Sequence, residues 1–147
     1  MKVLVCGDRD WIDSEYLELH LDELHKVNNF TLLIEGECRG VDIMSRNWAD
    51  HNGIPAKKFP ADWKKYKNAA GPIRNKAMLA EKPDLVVAFH PNIKESKGTK
   101  HMVSIARITT HVIIYDGNES GYYKGLCCEN EQRSMAGGCT NCGAPSI

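Results

Sequence analysis

No apolar run in this 147-residue chain approaches the roughly 18 residues that a membrane-crossing helix needs. The opening Met1-Lys2-Val3-Leu4-Val5-Cys6-Gly7-Asp8-Arg9 meets charge too early for the apolar centre of an export signal, so a cytoplasmic location is expected. Net charge is also lacking: 19 basic side chains balance 19 acidic ones. That excludes nucleic-acid binding by bulk charge and leaves room only for local basic patches. There is no Walker loop, no Gly-x-Gly-x-x-Gly fingerprint, no nucleophile elbow and no His-Glu pair of a metalloenzyme. Internal repeats are missing as well.

What is present is the pattern of an ordinary soluble domain, 42% hydrophobic and 26% charged. Short apolar, β-branched runs at 2–6, 30–35, 85–89 and 111–115 read as strands, those at 2–6 and 85–89 as buried ones, and 55–59 reads as a further short strand ended by Pro60. Between them lie helical patterns. The first opens at Ser14 and carries Leu17, Leu21, Leu24 and Val27 at helical spacing; the others span 41–51, 69–81 and 99–108. Apolar strands alternating with amphipathic helices imply an α/β fold: a Rossmann-like open parallel sheet of about five strands with helices on both faces. After Asp116 glycine breaks up every period, so residues 1–116 read as the domain and 117–147 as a short Cys-rich appendage.

In such a sheet the ligand site lies beyond the carboxyl ends of the strands. The loops there carry unusual residues. Gly36 and Gly40 flank a turn into a helix start, where backbone N–H groups can face an anion, and Gly98-Thr99 repeats the arrangement at the last helix. Arg9, Arg39 and Arg74 each offer a planar fork to phosphate. Trp11 and Trp63 offer flat faces to a base, and Asp42 and Asp62 can accept from ribose hydroxyls or a base edge. Each has a plainer reading too: Gly7 and Gly36 as turn residues, Trp11 and Trp48 as core, Asp42 as a first-turn charge, Arg39 as a surface charge, Arg74 as a partner of Glu81 or Asp84. Their joint position on the ligand edge favours a nucleotide site.

The series Gly7-Asp8-Arg9-Asp10-Trp11, Gly36…Arg39-Gly40-Val41-Asp42, Phe59-Pro60-Ala61-Asp62-Trp63 and Ala70-Gly71-Pro72-Ile73-Arg74-Asn75 resembles the YspA-like, cpYpsA-related branch of the SLOG superfamily, over about residues 1–116. The resemblance implies a Rossmann-like fold that binds nucleotides or nucleotide-derived ligands, and a homodimer or larger homo-oligomer. It adds Asp8, Gly71 and Asn75 to the ligand-binding set. The superfamily includes the Lonely Guy phosphoribohydrolases. Arg74-Asn75-Lys76-Ala77-Met78 looks like their Arg-Lys helix, and Ser96-Lys97-Gly98-Thr99-Lys100-His101-Met102 like their Pro-Gly-Gly-x-Gly-Thr-x-x-Glu loop. Here the glycine pair has become Ser96-Lys97, the second basic residue is Asn75, and the acidic position falls on Met102. A thioether is no general base. The expected function is therefore ligand binding, as a sensor, carrier or sequestering protein, with hydrolysis of an N-glycosidic or phosphoester bond as the alternative. Nucleic acid is not expected as a partner, nor is a membrane.

Four of the six cysteines lie near the C-terminus. Cys139-Thr140-Asn141-Cys142-Gly143 has the spacing of a zinc knuckle turn, and Cys127-Cys128 would complete four thiolates around one structural Zn²⁺. Free thiols in a loose tail are the competing reading. Cys6 reads as core, Cys38 falls in a candidate ligand loop, and His20 and His25 read as solvated.

Overall fold

The computed structural model describes residues 1–117 and, beyond them, residues 133–134 and 138–139. The chain runs β1 (Lys2–Gly7), α1 (Ser14–Asn28), β2 (Leu32–Glu35), α2 (Val41–His51), β3 (Ala56–Lys58), α3 (Trp63–Tyr66), a 3-10 turn (Lys67–Ala69), α4 (Ala70–Leu79), β4 (Leu85–Phe89), a second 3-10 turn (Ile93–Glu95), α5 (Gly98–Ala106) and β5 (His111–Tyr115). The five strands form one sheet in the order β3-β2-β1-β4-β5, and every pairing is parallel. The Rossmann-like expectation holds.

Alternation along β1 divides the core. Val3 and Val5 join Leu17, Leu21 and Leu24 of α1 and Val41, Trp48 and Ala49 of α2 on one face. Leu4 and Cys6 join Met78 of α4 and Met102, Val103 and Ala106 of α5 on the other. A parallel sheet covered on both sides needs strands apolar on both faces, as β4 is: all five of its residues are buried. The order of strands has one functional consequence. The chain steps outward from β1 to β3, then returns across the sheet to lay β4 beside β1. The carboxyl ends of these two neighbours, paired as Gly7 with Phe89, mark the switch point where a crevice opens.

Several local expectations shift. Asp13, not Ser14, caps α1, its Oδ1 accepting from the Tyr16 amide at 3.0 Å. Val27 is 83% exposed, outside the apolar stripe. His20 is buried, not solvated: its ring lies 4.1 Å from that of Tyr16 and 4.5 Å from that of Tyr115. A short antiparallel pair, β6 (Arg133–Ser134) with β7 (Gly138–Cys139), stands in a segment expected to have no strands. Cys127, Cys128 and Cys142 lie outside the described residues, as does the side chain of Cys139, and with them the zinc expectation.

Candidate functional site

The loops after β1 and β2 are locked together by backbone. The Asp8 amide donates to the Phe89 carbonyl at 2.9 Å, and the Asp8 carbonyl accepts from both Trp11 and Val41 at 3.2 Å. Gly40 makes this possible. It sits at φ +78°, and a Cβ there would collide with the Asp8 carbonyl oxygen. The β1 loop is thereby seated on the start of α2, and Asp8 and Arg9 are aimed over the sheet edge.

Beside them lies a cleft of about 360 Å³, within the range of small-molecule sites. Its floor is Cys6, Met78 and Met102; its walls include Gly7, Asp8, Arg9, Asp42, Arg74, Asn75 and the segment from Glu95 to Thr99. This brings together much of what the sequence singled out. Arg9 is exposed at the mouth and makes no hydrogen bond or ion pair among the described residues. Gly98 opens α5, and a Cβ at that position would meet nothing within 4 Å. The site of that missing Cβ is room for a ligand atom at a helix N-terminus, where backbone N–H groups and the helix dipole favour an anion. Thr99 is buried, and its amide is occupied by Ser96 Oγ at 3.0 Å.

Arg74 enters the cleft already engaged. Its Nη1 donates to the Gly36 carbonyl at 2.6 Å and lies 3.7 Å from Cys38 Sγ; its Nε donates to Asn75 Oδ1 at 3.2 Å. Gly36 admits this guanidinium, since a Cβ there would overlap it. Asn75, buried, spans α4 and α5: its Nδ2 donates to the Gly98 carbonyl at 3.2 Å and meets His101 Nδ1 at 3.1 Å, which makes that ring nitrogen the acceptor. An amide supplies both the acceptor and the donors this bridge uses; a lysine would supply donors only.

Asp42 is the chemically unusual group. It is buried in the first turn of α2 and its Oδ2 accepts from the Cys38 amide at 3.2 Å. Burial dominates and pushes its carboxyl up to about 7, against the opposing pull of that amide and of Arg74. The Cys6 thiol, also buried, is pushed well above its usual range. Met102, where a hydrolase-like acid would stand, is packed into the core beneath the cleft.

Other sequence candidates lie elsewhere. Trp11 is buried on the opposite face of the sheet, its Nε1 donating to the Asp13 carbonyl at 2.9 Å, so its ring is core and one wall of a shallower hollow with Asp116 and Gly117. Asp62 caps α3, accepting from the Lys65 amide at 3.1 Å, and neither it nor Trp63 lines the cleft. Gly71 faces Trp63, whose ring would lie 3.5 Å from an added Cβ. Arg39 stands on the surface, paired with Asp10 at 2.8 Å, both side chains 71% exposed. Sequence reasoning assigns no role to Glu35, which is fully buried at the end of β2, accepts from the Glu37 amide at 2.6 Å and has Arg46 at 3.7 Å. An acid ending an apolar strand is the available signal.

A parallel sheet in this order, with its cleft at the switch point, defines a Rossmann-like α/β domain with a candidate ligand site. Residues 1–66 match the family described as YspA, cpYpsA-related SLOG, so the resemblance carried by the sequence motifs holds over that segment. The chain is 29% identical over 112 residues to the Gene 61 protein of Mycobacterium phage D29, covering 72% of this chain and 88% of that one. It is similar in fold to DNA processing protein A (DprA) from Streptococcus pneumoniae, with a TM-score of 0.63 at 17% identity, over 88% of this chain. It spans 55% of the length of that chain.

Proposed function

We propose that the cleft binds a nucleotide or nucleotide-derived ligand, as a sensor, carrier or sequestering protein. The observation that carries this reading is the open N-terminus of α5 at the switch point. Gly98 leaves open space there, and Arg9, with no ion pair among the described residues, also lines the cleft. The ligand's phosphate would take the α5 end, with Lys97 and Arg9 as counter-charges. Its sugar and base would then lie along Asp42, Asn75 and Asp8. A panel of nucleoside mono- and diphosphates and the matching nucleosides, titrated calorimetrically, tests this. Phosphorylated members bind and nucleosides bind far more weakly; indifference to phosphate overturns it.

Asp42 supports a second reading, hydrolysis. A carboxyl held at about 7 beside a ligand cleft is matched to proton transfer near neutrality. The binding reading predicts no release of free base from nucleoside monophosphates. Release at about 1 per second or faster, abolished in Asp42→Asn, would establish the enzyme instead.

A further inference from the structure

No residue of the segment 62–69 is fully buried. All eight of its residues are exposed, including two large aromatics, Trp63 at 53% and Tyr66 at 38%. Helix α3 is held by its Asp62 cap rather than by a core-facing stripe. Trp63 and Tyr66 are three apart and so share a side of the turn. Lys64, Lys65 and Lys67 are interleaved with them, and the one acidic residue in the segment, Asp62, is engaged as the cap. Lys65 lies over the Tyr66 ring, 5.0 Å from its centre. Lys64 and Lys67 make no ion pair among the described residues, whereas nearby Lys57 and Lys58 are tied to Glu81 and Glu37.

Trp63 packs partly over Gly71 and leaves about half of its surface to solvent, and unpaired lysines beside such rings repel one another. Both features are used when bases stack on the rings and phosphates meet the lysines. We infer that α3 and the turn after it form a docking surface for single-stranded nucleic acid, separate from the cleft. The balanced net charge of the chain is compatible with this, because the basic groups are concentrated locally. Recognition here would be tolerant of sequence, as no groove or base-edge reader accompanies the rings among the described residues.

The chain has three tryptophans, and Trp11 and Trp48 are buried, so Trp63 is the ring a stacking base can quench. The test is a fluorescence titration of the full chain with an oligothymidylate of about 12 residues at low ionic strength. Quenching is expected on binding, with log affinity falling against log salt at a slope of about −2, as for three phosphate contacts. Trp63→Ala should weaken binding about tenfold, measured by anisotropy of a labelled strand. Lys64→Glu with Lys67→Glu should weaken it further and flatten the salt slope, and these surface changes leave the fold intact by circular dichroism. Saturating nucleoside monophosphate should not displace the strand. No binding, binding indifferent to Trp63→Ala and to the lysine changes, or displacement by the mononucleotide would each overturn the inference. So would sedimentation showing that this face instead joins two copies of the chain.

Discussion

Asp42 and Arg74 meet around the Gly36 turn, and each is there for a reason that a substitution can separate. Asp42 holds its proton more tightly folded than unfolded, because burial raises its carboxyl from 3.8 to about 7. Its contribution to stability is therefore most favourable below pH about 4, declines as pH rises, and levels off above about 7. In Asp42→Asn the decline should shrink, by up to about 4 kcal/mol, since each tenfold change in proton affinity corresponds to about 1.4 kcal/mol. Denaturant titrations of both proteins from pH 4 to 8 measure the difference; parallel curves would show that Asp42 is ionised throughout. Arg74 should behave otherwise. Arg74→Ala leaves the Gly36 carbonyl without its donor and removes a charge from the cleft wall, so it should lower both stability and nucleotide affinity, each by about 1.5–3 kcal/mol. Gly98→Ala separates the two effects. Nothing crowds its Cβ, so stability should stay within about 0.5 kcal/mol of the parent, while affinity for phosphorylated ligands falls. Equal losses of both would remove Gly98 from the proposed contact.

Among the elements, the loop-to-helix junction before α2 is the most constrained. Gly40→Ala must place a Cβ against the Asp8 carbonyl at φ +78°, and should destabilise by about 1–3 kcal/mol while also displacing Arg9 at the cleft mouth. Thermal unfolding gives the first effect and nucleotide titration the second. The sequence made the turn legible, because Gly36 and Gly40 flank a turn into an amphipathic run, but not the close approaches of the Asp8 carbonyl and the Arg74 guanidinium that require those glycines. It also carried β4, β5 and α2 at their observed bounds, since unbroken apolar runs and a clean helical period leave little choice. It failed at α3. Asp62 and Trp63 look like ligand groups when read as a loop after a strand, but an aspartate three residues before a lysine amide closes a turn, and that cap carries Asp62 and Trp63 away from the cleft. Trp11 misled for another reason: a few residues past a strand end, a ring can fold over either face, and packing on Phe89 and Tyr16 put it on the far one. Glu35 escapes notice because a carboxylate closing an apolar strand reads as an exit to solvent, whereas here it is buried.

For the molecule as a whole, the described core is complete at β5, where Tyr115 is fully buried. The four thiols of Cys127, Cys128, Cys139 and Cys142 are proposed to hold one structural Zn²⁺, and removing it should leave that core standing. A chelator is expected to speed amide exchange in 117–147 and not in 1–116. Elemental analysis finding no zinc in protein purified without chelator, with all four thiols open to titration, would defeat this. A native mass spectrum would add the copy number, for which the proposal is a homodimer or larger assembly.

The central claim is that a phosphorylated ligand sits on the N-terminus of α5 at the β1/β4 switch point. Backbone amide chemical shifts, followed while a nucleoside monophosphate from the panel is added, test it most directly. The amides of Gly98, Thr99 and Lys100 should move most, with Asp8 and Arg9 following, and the matching nucleoside should move them little. Shifts centred elsewhere on the domain, or equal shifts from the nucleoside, would contradict the account.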